Sequence, residues 1–174
     1  MKSSKNIVFL GMMGSGKSSI GFLVSKKLGL NFFDIDKHIE DKLNMKISNI
    51  FRLKGERFFR EYEEKITLDI LKKRQIVVSL GGGAFLNKKI RNEVLKSHIS
   101  FWLSLNSDII ISRIKNSVKR PMTLNMSSIE LKDMIKKRSI YYGKALLKIN
   151  CNNKTKTEIV NKIISLYENN QIIN

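Results

Sequence analysis

The sequence predicts an α/β fold in three layers: a five-stranded parallel sheet with helices on both faces. Three observations predict it. Short apolar runs of strand length alternate with longer runs of helical period along the whole chain. The first apolar run, Ile7-Val8-Phe9-Leu10, passes directly into Gly11-Met12-Met13-Gly14-Ser15-Gly16-Lys17-Ser18, a strand, a glycine-rich loop and a helix start. Three chemistry-bearing segments, this loop, the pair Asp34/Asp36 and Gly81-Gly82-Gly83, each follow a predicted strand. They should therefore converge on the carboxyl edge of one sheet, where open α/β folds bind ligands.

The elements follow in order. Lys5–Leu10 reads as the first strand. A helix spans Lys17–Leu28, with Ile20, Leu23, Val24, Lys27 and Leu28 as its expected buried stripe and Gly29 as its stop. Asn31–Asp34 is a short second strand, and Asp36 is placed to cap a helix over Lys37–Leu43. A short helix over Ser48–Leu53 stops near Gly55. Glu56–Lys73 is long and amphipathic, with Phe59, Tyr62, Ile66, Ile70 and Leu71 along one side. Ile76–Leu80 is the third strand, Asn87–Lys96 a helix, Ile99–Leu103 the fourth strand and Ser107–Asn116 a helix. The polar stretch Ser117–Ser128 carries the only proline, Pro121. Ile129–Lys144 is helical, Leu146–Cys151 is the fifth strand, and Thr155–Tyr167 closes the chain. No linker or repeat divides the 174 residues, so 1–174 reads as one domain.

Composition narrows the class. Hydrophobic content of 42% supports a globular core without staples, and the single cysteine, Cys151, cannot form an internal disulfide, which fits a reducing cytoplasm. The apolar patch behind Lys2 and Lys5 loosely resembles a leader, but cleavage there would destroy the glycine loop, so it reads as strand. No run approaches a membrane span of about 20 residues. The net charge of +18 raises nucleic acid as a partner. Yet lysines are spread through every segment without aromatic interleaving, so neither nucleic acid nor a membrane is expected, and the charge should instead draw in anionic ligands.

The chemistry is carried by a few residues. In the Walker A loop, Gly11, Gly14 and Gly16 let backbone amides close on phosphate, Lys17 reaches the β- and γ-phosphates, and the Ser18 hydroxyl suits Mg²⁺. Asp34 and Asp36 leave their strand on the same side. One can hold Mg²⁺ through water and the other can reach a second substrate, or the pair is only a helix cap and a surface acid. Arg60 has Glu63 at i+3 and two phenylalanines beside it, so its guanidinium can be held for a carboxylate; alone, the pair could equally be solvated. Gly81–Gly83 suits a backbone touching a ligand, or a flexible turn. Arg113, Arg120-Pro121 and Arg138 complete the set, with Arg120 in a loop suited to a lid.

Assembled, these residues resemble the shikimate kinase family. The resemblance rests on the Walker loop, Asp34/Asp36, the Phe51-to-Glu63 pattern F-x-x-x-G-E-x-x-F-R-x-x-E, Gly81–Gly83, the run Arg113 to Arg120-Pro121, and Arg138-x-x-x-Tyr142. It implies a P-loop kinase fold with a lid at about 117–128 and a substrate-binding helical segment at about 36–63. It implies transfer of the ATP γ-phosphoryl to the 3-hydroxyl of shikimate, with one Mg²⁺, by a cytoplasmic monomer. It assigns ATP to Gly11, Met12, Met13, Gly14, Ser15, Gly16, Lys17, Ser18, Ser19, Arg113 and Arg120, and Mg²⁺ to Ser18 and, through water, Asp34. Asp36, Arg60, Gly81, Gly82, Gly83 and Arg138 would bind shikimate, and Lys17, Asp36 and Arg120 would be catalytic. The chain departs from the family pattern after Tyr142 and at Cys151–Thr155, which has no proline behind the adenine. A kinase of the same fold for another polyol acid, such as gluconate, and a nucleotide-binding regulatory or nucleic-acid-binding protein without transferase activity are the alternatives.

Overall fold

Five parallel strands form one sheet in the order β2-β3-β1-β4-β5 in the computed structural model, which describes residues 5–116, 123 and 126–172, with side chains to 169. The strands are β1 Ile7–Leu10, β2 Asn31–Asp34, β3 Ile76–Ser79, β4 Ile99–Ser104 and β5 Leu147–Asn150. The helices are α1 Lys17–Leu28, α2 Ile35–Leu43, α3 Ile47–Leu71, α4 Lys88–Ser97, α5 Ser107–Lys115, α6 Ser128–Tyr142 and α7 Lys156–Ile172. The predicted three-layer α/β architecture is the observed one. None of the described helices is long and apolar enough to cross a membrane.

Successive strand residues point to opposite faces, so an unbroken apolar run must be covered twice. In β1, Ile7 and Phe9 pack with Ile20 and Val24 of α1 and Val160 and Ile163 of α7. Val8 and Leu10 face the other way, toward Ile50, Phe59 and Ile70 of α3, Ile90 of α4 and Tyr142 of α6. Every one of these side chains is less than 5% exposed. At roughly 25 cal/mol per Å² of apolar surface removed from water, the two layers together supply the main stabilisation of the fold.

Several local expectations are corrected. In α1, Leu23 and Lys27 face solvent, while Lys17, Ile20, Gly21, Val24 and Ser25 form the buried stripe. The helix turns this way because it lies so close on the sheet that a Cβ at Gly21 would sit 2.7 Å from the Phe32 ring. Asp34, not Asp36, caps α2: its Oδ1 accepts from the Lys37 amide at 3.2 Å, which leaves Asp36 in the first turn. The two helices expected around Gly55 meet end to end in α3, bent where Gly55 takes φ 81 and ψ 166. A side chain there would meet no atom within 4 Å, so the left-handed backbone, not space, is what calls for glycine. The second arm of α3 buries Glu63 and Thr67 with Phe59, Ile70 and Leu71, whereas Tyr62 and Ile66 are only partly buried. A 3₁₀ turn at Ala84–Leu86, not foreseen, carries the chain from the glycines to α4.

Asn6 is buried at the start of the central strand and pins the framework there. Its amide donates to the Leu71 and Lys73 carbonyls at 3.2 and 2.7 Å, and its oxygen accepts from the Ile76 amide at 3.2 Å. The α3–β3 connection is thereby fixed to the start of β1, which helps set the register that delivers Gly81 to its place.

His98, between α4 and β4, is a buried titratable ring away from the cleft. Its side chain is 7% exposed, neither ring nitrogen has a hydrogen-bond partner, and burial holds its pKa below 6.5 against the opposing pull of Glu93. The unfolded chain therefore takes up this proton first as pH falls through about 6.5, and the folded state loses stability until the folded pKa is passed. Thermal midpoints measured from pH 7.5 to 5 should fall more steeply for the native chain than for His98→Leu. Parallel curves would show that the ring does not titrate differently on folding.

Candidate active site

The order β2-β3-β1 brings three segments together at one sheet edge. Asp34 pairs with Ser79, Ser79 pairs with Phe9, and the Leu80 amide donates to the Phe9 carbonyl at 3.0 Å. The acid pair, the glycine run and the Walker loop thus leave adjacent strands at the same level. They open onto a cleft of about 970 Å³, the size of a small-molecule site.

The Walker loop has the shape that its residues demand. Gly11, Gly14 and Gly16 take φ of 136, 80 and 97, conformations closed to ordinary side chains. Gly16 leads into α1, whose first turn holds no acid, so the amide-rich helix start is unopposed. Lys17 is buried, and its Nζ donates to the Gly11 and Met12 carbonyls, both at 2.9 Å. Ser18 and Ser19 are exposed and line the cleft with Met13, Gly14, Gly16 and the buried Ser15, while Gly11 and Met12 lie behind its wall. Arg113 of α5 reaches the loop, donating from Nη1 to the Gly14 carbonyl at 2.8 Å.

Across the cleft, Glu63 organises the second half of the site. It is 2% exposed, and its Oε2 accepts from Arg60 Nη1 at 2.7 Å. Glu56 contacts Arg60 Nε at 3.3 Å from the solvent side. Burial alone would lower the Arg60 pKa, but Glu63 and Glu56 more than offset it, so the guanidinium stays charged. The same guanidinium lies over the rings of Phe59 and Phe51, 5.2 and 5.9 Å from their centroids. Burial also raises the Glu63 pKa, with Arg60 and Arg138 pulling it back.

Asp36 faces Glu63. Burial first, then Glu63 and Asp34, push its pKa up to about 7, while Lys17 and Arg60 oppose the rise. Asp34, its carboxylate partly engaged in the α2 cap, lines the cleft wall, as Ser18 does. A hydroxyl and a carboxylate beside a phosphate cradle are the hard oxygen donors Mg²⁺ takes, with phosphate oxygens and water completing its shell.

The three glycines are explained by what surrounds them. None of the three has a left-handed backbone. A Cβ at Gly81 would lie 2.6 Å from Asp36 Oδ1 and 2.6 Å from Glu63 Oε1. A Cβ at Gly83 would lie 2.7 and 2.9 Å from the two terminal nitrogens of Arg60, and one at Gly82 would press the Met13 amide at 3.2 Å. Glycine is required because the chain's own charged groups occupy the room a side chain would need. Gly82 and Gly83 line the cleft, and Gly81 supports it from behind.

Arg138, on α6, lines the same cleft, with its Nη1 3.5 Å from the Gly82 carbonyl. Lys17, Asp34, Asp36, Arg60, Arg113 and Arg138, distant in sequence, are therefore gathered on one cavity. Arg120 lies outside the described residues. Two roles escaped the sequence reading. The Glu63 carboxylate was paired with Arg60 at i+3, but its burial and its like charge facing Asp36, which helps raise the Asp36 pKa, were not foreseen. Tyr142 entered the sequence reading only as the end of the Arg138-x-x-x-Tyr142 pattern; that it is 1% exposed and bonded to Gly82 was not foreseen.

Comparison with known proteins identifies the family. The shikimate kinase family model matches residues 13–168. A shikimate kinase of Sulfurihydrogenibium sp. is 39% identical over 161 residues, covering 92% of this chain and 96% of that protein. One of Bacillus subtilis is 40% identical over 162 residues, covering 92% and 87%. The solved structure of a shikimate kinase from Acinetobacter baumannii in complex with shikimate superposes with a TM-score of 0.91 at 28% identity, covering 98% of this chain and 96% of that one. With a Walker cradle, an arginine-lined cleft and a sheet of this order behind those matches, the chain belongs to the shikimate kinase family and is a phosphotransferase of the P-loop kinase fold.

Proposed function

We propose that the chain transfers the γ-phosphoryl group of ATP to the 3-hydroxyl of shikimate, giving shikimate 3-phosphate and ADP, a step toward aromatic amino acids. The observation that carries the reading is the pair Arg60 and Arg138 flanking Gly82-Gly83 in the cavity that also holds Lys17 and Asp36. Two fixed guanidinium groups suit a carboxylate, and Phe51 and Phe59, 4.6 Å apart, offer an apolar wall for the ring. Held this way, the substrate presents a hydroxyl to Asp36, which accepts its hydrogen bond and takes its proton late in transfer. Phosphoryl transfer needs alignment and charge neutralisation more than covalent help.

On the nucleotide side, Gly11–Ser19 wraps the phosphates, Lys17 bears on their outer oxygens, and Arg113 borders the adenine. Arg120 is proposed as the arginine of a lid at about 117–128, and 36–63 as the substrate-binding segment of a single domain, 1–174. Ser18 and, through water, Asp34 would hold the Mg²⁺, which when bound neutralises charge between the β- and γ-phosphates. In this reading the enzyme is a cytoplasmic monomer acting on two anionic small molecules, and its +18 charge favours their approach.

A coupled assay for ADP release tests the proposal, with shikimate and gluconate offered separately. Turnover on shikimate alone is expected; turnover on gluconate without shikimate would refute it. Gly83→Ala is expected to displace the Arg60 guanidinium, since its new Cβ would lie 2.7 Å from Nη1. KM for shikimate should rise about tenfold or more, as for one weakened charge-assisted contact, with KM for ATP within about twofold. An unchanged KM for shikimate would mean that Arg60 can move aside without loss and does not fix the substrate.

A further inference from the structure

We propose that Tyr142 is a positioning residue for the reaction, its hydroxyl orienting Arg138 and Gly82 and tying both to the phosphate loop. This rests on the reading of Arg138 as a carboxylate clamp and adds a residue to which that reading assigns no part.

The hydroxyl of Tyr142 donates to the Gly82 carbonyl and lies 3.6 Å from Met12 Sδ. Arg138, four residues earlier on α6, faces the phenol oxygen and brings its Nη1 to the same Gly82 carbonyl at 3.5 Å. Residues four apart stack on one helix face, so the tyrosine supports the arginine from the next turn. A buried phenol hydroxyl must find a partner, and this one has a single proton. That proton goes to Gly82, the stronger acceptor, leaving the oxygen lone pairs turned toward the Arg138 charge.

The contact therefore joins three chain segments: the loop after β1 at Met12, the glycines after β3, and α6. Gly82 lies close to the phosphate loop: a Cβ built on it would stand 3.2 Å from the Met13 amide nitrogen. With its carbonyl held by Tyr142, Gly82 cannot rotate without breaking this bond. Neither can Arg138 swing without losing its oxygen neighbour. The ring is fixed in turn: it is 1% exposed and packs on Trp102 of β4, 6.1 Å between centroids. Burial raises its pKa to about 12, against the pull of Arg138, so the hydroxyl keeps its proton at any physiological pH.

Tyr142→Phe removes the hydroxyl and keeps the ring. We expect KM for shikimate to rise about tenfold and kcat to fall severalfold, with KM for ATP within about twofold and the variant folded at assay temperature. A purely structural role would lower the thermal midpoint and leave both KM values of the folded enzyme unchanged; that result would overturn the proposal. A double-mutant cycle tests the route. If Tyr142 acts through Arg138, Tyr142→Phe should add little to the shikimate KM of Arg138→Lys, whereas multiplying losses would overturn it. An Arg138→Lys variant with native KM for shikimate would refute the clamp itself, and the present proposal with it. A clear Arg138→Lys effect beside a silent Tyr142→Phe would refute only the latter. The unmutated chain gives a test that does not depend on variant folding. Trp102 is its only tryptophan and rests on Tyr142, so saturating shikimate should change its emission. No change would also overturn the proposal.

Discussion

Lys17→Ala is expected to lower kcat by on the order of 10³, the effect of removing one preorganised charge from a developing anionic transition state. Lys17 is buried at the start of α1, and its ammonium is held at the phosphate loop by the Gly11 and Met12 carbonyls. The loss should appear in kcat more than in KM for ATP, because the loop amides and the start of α1 still bind ground-state phosphate. The same carbonyl contacts shape the loop, so the thermal midpoint should be measured alongside. A folded Lys17→Ala enzyme with native kcat would remove the lysine from the chemistry.

Arg60→Ala should act on the other substrate. The expected outcome is a rise of about 100-fold in KM for shikimate with KM for ATP within about twofold, since the guanidinium faces Gly83 and the phenylalanine wall, not the Walker loop. The variant also strands Glu63, which is almost fully buried and bonded to Arg60 at 2.7 Å. Breaking a buried pair costs roughly 3–5 kcal/mol; here the loss should be smaller, because the Arg60 side chain keeps 32% of its exposure and Glu63 can take up a proton. Arg60→Ala with Glu63→Gln separates the two effects. It should recover much of the stability and none of the shikimate affinity. Equal loss for both substrates in Arg60→Ala would show that the arginine serves the site as a whole.

The site was legible where chemistry leaves a local trace. Gly11 to Ser18 is contiguous, and its order dictates loop, helix start and phosphate chemistry without reference to the rest of the chain. Arg60 and Glu63 could be paired at i+3, and Gly55 read as a break between helices. Less legible was anything set by a neighbour. Gly81–Gly83 read as a backbone open to a ligand; the cause lies in Asp36, Glu63 and Arg60, which come from other elements and fill the space. The α3 face was misjudged for the same reason. Apolar spacing marks Tyr62 and Ile66, but the helix turns Glu63 inward because two arginines and the tight glycine loop receive it there. The cap of α2 shifted from Asp36 to Asp34 because Asp36 is drawn to the cleft.

The sequence by itself determined which segments become strands and helices, because period 2 and period 3.6 are properties of a few successive residues. It also determined the phosphate loop and the charged groups available for transfer. Only the tertiary structure decided that β3 inserts between β1 and β2, which places Asp34, Ser79 and Phe9 on one level of the sheet. Strand order is a contest among long-range pairings, each satisfying the same backbone hydrogen bonds, and it is settled by how both faces pack. That choice carries Asp36, Glu63 and the glycines to within atomic contact, and with them the buried charges on which substrate binding depends.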